Sequence, residues 1–180
     1  MSNGMIFNGR HSSDFKLAMR SDNRQLLPAT RDEYQYAIDR DGSVLFDDAL
    51  DDRFIEVSFT TLTDTGNELQ QKARQIASWL RTKERTRITF DDEPDKFYMG
   101  KVSTQVDIER VANMGEFTVT FRCEPYAYKI TDQQTFDITD SPTTLNIENT
   151  GTVKTPATFI VNNAGSNTLS EFTLEMEEEL

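Results

Sequence analysis

The chain has 180 residues, enough for one domain or two small ones, and its 31 acids against 19 Lys and Arg give a net charge of −12. A field of that sign repels nucleic acid, which excludes a DNA-binding groove but not the passage of DNA nearby. No apolar run approaches the roughly 20 residues of a membrane span, Met1 to Phe15 lack the apolar core of a secretory signal, and the single cysteine, Cys123, excludes an internal disulfide framework and a cysteine-built zinc site.

Residues 1–50 predict short strands at Met5-Ile6-Phe7, Phe15 to Met19 and Tyr34 to Ile38, with a turn at Asp39-Arg40-Asp41-Gly42. Phe54 to Phe59 alternates, so Ile55, Val57 and Phe59 share one face of a half-buried strand. Thr65-Gly66-Asn67-Glu68 reads as a capping box. Leu69, Ala73, Ile76, Ala77 and Leu80 then recur on one face of a helix over about 67–82, with Trp79 bordering that face as its anchor to a sheet. Arg87 to Phe90 is a short strand, and the turn Asp91-Asp92-Glu93-Pro94-Asp95 is too acidic and proline-bound for a central one. A long strand over Lys96 to Ile108, bent at Gly100, is followed by a hairpin turn at Asn113-Met114-Gly115. Phe117, Val119, Phe121 and Cys123 alternate with polar residues in the clearest strand of the chain, which Pro125 is expected to end. Beyond 130, short strands are expected at 135–139, 144–148, 158–162 and 171–176. The composition also breaks there: residues 131–180 hold nine acids, one base, three Phe, and no Tyr or Trp. The chain therefore reads as mainly β with one helix, divided into residues 1–130 and 131–180.

Little in the sequence points to bond-making chemistry. His11 is the single histidine, and His11-Ser12-Ser13-Asp14 places a hydroxyl and a carboxylate beside it. A Ser–His–Asp triad is a spatial arrangement that four adjacent residues rarely make, so a polar turn or cap is the reading. Asp39-Arg40-Asp41-Gly42 lacks the acid that a calcium loop needs two residues earlier, where Ala37 stands, and its bidentate position falls on Asp48. Cys123 alternates with apolar residues and reads as a packing cysteine. No catalytic residue, metal site or cofactor site is predicted, and the chain is not expected to be an enzyme. One charge feature stands out. Lys72, Arg74, Arg81, Lys83, Arg85 and Arg87 form a basic island in an acidic chain, which suits contact with an acidic neighbouring subunit.

The order of these elements resembles the distal tail protein family of long-tailed, non-contractile phages. The opening Phe7-Asn8-Gly9-Arg10-His11-Ser12-Ser13-Asp14-Phe15-Lys16-Leu17 follows the pattern F-x-G-x-x-S-x-D-F-x-L. It is followed by the turn Asp39-Arg40-Asp41-Gly42, with Asp39 in place of a glycine, then the strand Phe54–Phe59, a helix ending in Trp79-Leu80, and the acidic turn leading into Phe97-Tyr98-Met99-Gly100. The series closes on Gly115, Phe117, Val119, Phe121, Cys123, Pro125 and Tyr126. The resemblance spans about residues 5–128.

That resemblance implies a β-sandwich or barrel-like ring domain with one helix over 1–130. Residues 131–180 would form a short or incomplete β-sandwich related to a galectin-like fold, begun by Thr144 to Gly151 and Thr155 to Val161. It further implies a structural virion protein at the distal tail tip, assembled in the host cytoplasm. The partners would be itself, as a homohexameric ring, the tail tube protein above, a tail hub or tail-associated protein below, and a receptor-binding protein, with DNA passing through the channel unbound and no membrane insertion. The ring needs two complementary patches on each subunit. The basic set is expected to form one, and Asp47, Asp48, Asp51 and Asp52, or Asp91, Asp92, Glu93 and Asp95, the other. The alternative is a carbohydrate-binding β-sandwich for host-surface attachment, which needs an exposed aromatic platform that residues 131–180 supply only as Phe.

Overall fold

Alternating apolar residues over five separate segments pay for their burial only by sharing one interior, and the computed structural model shows that interior as a curled sheet. It describes residues 4–61, 66–104, 115–130, 133–156, 158–168 and 171–176, without the side chains of Ser21, Asp48 and 66–70. The chain divides into two units, Met1–Gln133 and Gln134–Leu180.

In the first unit, strands β1 (Met5–Phe7), β2 (Arg10–His11), β3 (Leu17–Arg24), β6 (Arg53–Thr61), β7 (Thr86–Phe90), β8 (Lys96–Val102) and β9 (Glu116–Lys129) form one antiparallel sheet. Their order is β2-β1-β7-β8-β9-β6-β3. Strands β4 (Thr30–Tyr36) and β5 (Ser43–Leu50) make a separate two-stranded sheet. A 3-10 turn, Ser12–Phe15, carries the chain from β2 to β3, and helix α1 spans Gly66–Leu80. The expected strand over Phe54–Phe59 is present as β6, with Ile55, Val57 and Phe59 inward. The expected helix is present as α1, with Ala73, Ile76 and Leu80 buried. Fifteen residues are marginal as a free helix, so α1 owes its stability to that apolar stripe. Thr65 of the expected capping box, Val106, Ile108, Asn113 and Met114 lie outside the described residues.

The core holds Phe7, Phe59, Phe90 and Phe121, each at most 1% exposed. At roughly 1.5–3 kcal/mol per buried side chain, these four outweigh the surface ion pairs, which contribute roughly 0–1 kcal/mol each. Trp79 closes the interior from α1. It stacks on Phe15 at 4.7 Å, meets Phe7 and Phe59 edge-on at 6.0 and 6.2 Å, and its indole Nε1 donates to the Phe7 carbonyl at 2.7 Å. The anchoring role expected of Trp79 is thus a bond from helix to strand β1.

Two expectations are corrected. Pro125 does not end its strand: β9 runs on to Lys129. The register between β8 and β9 shifts between Tyr98 and Gly100, with Tyr98 opposite Ala127 and Gly100 opposite Cys123. Pro125 falls inside that irregularity, where no ladder N–H is required, and its carbonyl accepts from Arg53 Nε at 3.2 Å. The segment Ser43–Leu50, for which the sequence predicts no strand, is strand β5.

In the second unit, the strands expected at 135–139, 144–148, 158–162 and 171–176 form no ladder among the described residues. Ile138, Ile147, Ile160 and Phe172 stay more than half exposed, and Phe136, Leu145 and Phe159 more than a third. What does form is a pair of matching turns. Asn149 Oδ1 accepts from Gly151 N–H at 2.9 Å, and Asn163 Oδ1 accepts from Gly165 N–H at 3.0 Å. Such Asx turns are stable locally, whereas strands need partners to satisfy their backbone.

Candidate functional site

Strand β4 begins after Pro28 and ends in the turn predicted at 39–42, where Asp39 and Gly42 take left-handed φ values of 66° and 81°. The turn returns the chain antiparallel as β5, pairing Tyr36 with Ser43 and Thr30 with Leu50. Among the described elements, β4 and β5 pack substantially only on each other. The consequence is an uncovered ribbon rich in large apolar side chains: Ile38 is 94% exposed, Tyr36 82% and Phe46 69%. An isolated two-stranded ribbon is at best marginally stable in water, and apolar surface gathered in this way marks an interaction face.

The charged residues singled out from sequence fall into three groups. Arg74 lies exposed on α1, and Arg81 lies exposed just beyond it, its N–H bonded to the Ala77 carbonyl at 3.1 Å. Lys83 is exposed, and Lys72 is on α1. The second group is used within the chain. Arg85 donates to Asp52 at 2.8 Å and lies 3.6 Å from Glu124, and Arg122 Nε donates to the other oxygen of Asp52 at 2.5 Å. Arg87 stacks its guanidinium on Phe97 at 4.5 Å. Asp51 accepts from Asp52 N–H at 2.8 Å, whereas Asp47 and Asp48 lie on β5. The third group is the β7–β8 turn. Arg24 at the end of β3 pairs with Asp92, with Glu93 at 2.9 Å and with Asp22 at 2.5 Å, and covers Phe90 at 4.7 Å. Glu93 also pairs with Lys96 at 3.3 Å, and the Asp95 carbonyl accepts from Ile130 N–H at 2.9 Å. Arg24 thereby ties an edge strand to the far turn and holds the sheet in its curl. Arg85 and Asp52, expected on opposite patches of neighbouring subunits, meet within one chain.

These pairings set a pH dependence. Burial alone would raise the Asp52 carboxyl, but hydrogen bonds from Arg122 and Arg85 prevail and hold it below its ordinary 3.8. The Arg24 hydrogen bond, against a smaller effect of burial, lowers Asp92 in the same way. A depressed folded pKa gives stability that is present above the unfolded value and lost as pH falls through the folded one. The urea midpoint is therefore expected to hold steady from about pH 7 to about pH 5 and to drop below pH 4. An Asp52→Asn chain should start lower and drop less; an equal drop would remove Asp52 as a source.

His11 is the N-cap of the 3-10 turn. Its Nδ1 accepts from Ser13 N–H at 3.2 Å and meets Ser13 Oγ at 2.6 Å, which leaves Nε2 protonated and facing Asp91 at 3.1 Å. Ser12 is fully buried, its Oγ accepting from Met5 N–H at 3.3 Å. Asp14 lies 3.9 Å from Arg10. The cap expected from sequence is present, with a carboxylate partner 80 residues away that local spacing could not reveal. Gly4 makes room for it, since a Cβ there would come within 2.6 Å of the imidazole. With Nδ1 occupied by the turn's own amide and hydroxyl, the row Ser13–His11–Asp91 serves as a clamp between the 3-10 turn and the β7–β8 turn. Among the described residues, no group of three or more His, Cys, Asp or Glu side chains is placed to hold a metal, and no helix is long and apolar enough to cross a membrane.

Comparison with known proteins agrees with this architecture. Residues 11–123 match the family model of the phage tail protein RIFT-related domain. Among solved structures, the chain is similar to the Dit protein (gp 19.1) of phage SPP1, described as a paradigm of the hub adsorption apparatus in phages that infect Gram-positive bacteria, with a TM-score of 0.61 and 20% identity. The likeness covers 72% of this chain and 52% of that one, so the chain spans about half the length of the SPP1 protein, and at that identity the likeness is one of fold. No curated protein sequence matches the chain.

Proposed function

The chain belongs to the phage tail proteins with a RIFT-related domain, and on that footing we propose that it is a structural subunit of a ring at the distal end of a siphophage tail, acting by assembly and not by turnover. The ring joins the tail tube to the hub or tail-tip device, with residues 1–130 forming it. Six copies close the ring, and its channel passes DNA without holding it. The net charge of −12 suits such a wall, because like charge gives DNA no place to adhere.

The observation that carries this reading is the uncovered β4–β5 ribbon. Among the described residues nothing covers Ile38, Tyr36 and Phe46, and apolar surface gathered in this way marks a face for another surface. A closed ring with identical subunits is a head-to-tail arrangement, in which one face of each copy covers a different face of the next.

Light scattering on the purified chain tests the proposal. The expected mass is about six times the 20.6 kDa of one chain, with ring-shaped particles in negative stain. A chain that stays at 20.6 kDa at every concentration would overturn self-assembly into a ring. Binding to a glycan array by such a monomer would instead favour a surface-attachment module.

A further inference from the structure

We infer that the ribbon's receiving surface is the outer face of α1 on a second copy of the chain, with Glu33 and Asp41 opposite Arg74 and Arg81 and Ile38 seated beside them. This rests on the ring reading and names its junction.

Charge segregation supports it first. Residues 30–50 hold six acids and two bases, whereas residues 66–87 hold six bases and two acids. Two surfaces of one chain are thus complementary to each other, as a head-to-tail contact between copies requires. Several of those bases are already used: Arg85 by Asp52 and Glu124, Arg87 by Phe97. Arg74 and Arg81 are exposed, and among the described residues neither makes an ion pair or side-chain hydrogen bond. Glu33 and Asp41 are exposed and without such partners in the same sense.

Spacing is the second support. Arg81 follows the last residue of α1 and its N–H still bonds to the Ala77 carbonyl, so it continues the helical stripe that carries Arg74, seven residues and roughly 10 Å away. Glu33 lies three residues, roughly 10 Å, before Tyr36, the last of β4, and Asp41 lies beyond it in the turn, so the two carboxylates are set out along the ribbon as the two guanidinium groups are along α1. The third support is a seat for the apolar tip. A shallow cleft beside α1 is lined by Asn8, Arg10, Gln75, Ser78 and Trp79. Ile38, 94% exposed at the turn, is of a size to enter it.

Two double variants test the junction, E33K/D41K and R74E/R81E. All four positions are exposed, so both variants should melt with the wild type. Each alone should scatter as a single chain of 20.6 kDa. Mixed in equal amounts, they should regain the ring mass. In an alternating ring of even number, every junction then sets an acidic ribbon on a basic helix or a lysine ribbon on a glutamate helix. Either variant keeping the ring mass by itself, or a mixture that stays at one chain, would overturn the junction while leaving the wild-type ring in place. A wild type that never assembles would instead overturn the ring reading.

Discussion

Trp79→Ala is expected to cost the chain most of its folding stability. Removing a buried tryptophan side chain costs roughly 3–5 kcal/mol. Here it also deletes the donor to the Phe7 carbonyl, and an unmatched buried acceptor adds roughly 1–3 kcal/mol. Domains of this size have roughly 5–15 kcal/mol in all. The site offers little means of collapse, because Phe7, Phe15 and Phe59 all lean on the indole from fixed strands and the 3-10 turn. Trp79→Phe separates the two losses: it keeps a ring in the cavity but not the N–H, and should cost about 1–3 kcal/mol. Urea unfolding followed by circular dichroism reads both, since the chain's single tryptophan is the residue removed. A cost below about 1 kcal/mol for the alanine variant would show that α1 is not held by this residue.

The second large effect is at a position with no side chain. Gly100 is buried in β8, and a Cβ there would collide with Cys123 Sγ and come within 2.7 Å of Ile88 Cδ1. Cys123 is fully buried on the facing strand β9, and burial pushes its thiol up to about 12, so the sulfur acts as neutral packing volume. Neither neighbour is a flexible surface side chain that could swing away. Gly100→Ala should therefore cost about 1–3 kcal/mol by overpacking. Cys123→Ala alone should also destabilise, by leaving a small cavity. Together the two should be less harmful than their sum, because the new methyl takes the space the sulfur leaves. Additive costs in that double-mutant cycle would mean that the strands move apart instead of exchanging volume.

The sheet interior was legible because its signal is local. Ile55, Val57 and Phe59, and again Phe117, Val119, Phe121 and Cys123, announce a buried face through spacing alone. The α1 stripe is legible for the same reason. Strand β5 was not, because Ser-Val-Leu-Phe-Asp-Asp-Ala-Leu does not alternate: a strand exposed on both faces has no core to impose a period of two. The polar cap at His11 to Asp14 is legible, but Phe15 reads as the start of a strand and not as the end of a 3-10 turn, since it is buried by the loop's path and not by pleating. The charged residues were visible as clusters, but their pairing was not. Nothing in the spacing of Asp52, Arg85 and Arg122 says that they converge, nor that Arg24 reaches the β7–β8 turn. Those encounters depend on how far the sheet curls, a property of all seven strands together.

The position of β9 bears on how the chain comes to be folded at all. It is the last strand of the sheet in sequence, yet it lies between β8 and β6, with β2, β1 and β7 on one side and β3 on the other. During synthesis, the two flanks can each pair internally, but among the described residues no backbone ladder joins them until β9 has emerged as far as Cys123. Until then, half of the future interior faces water, and each flank presents an open edge to its counterpart on any neighbouring nascent chain. Closure is thus a late zipping event between distant segments, which is slow for topological reasons. The chain has that interval as its window of vulnerability, and completion of one strand ends it.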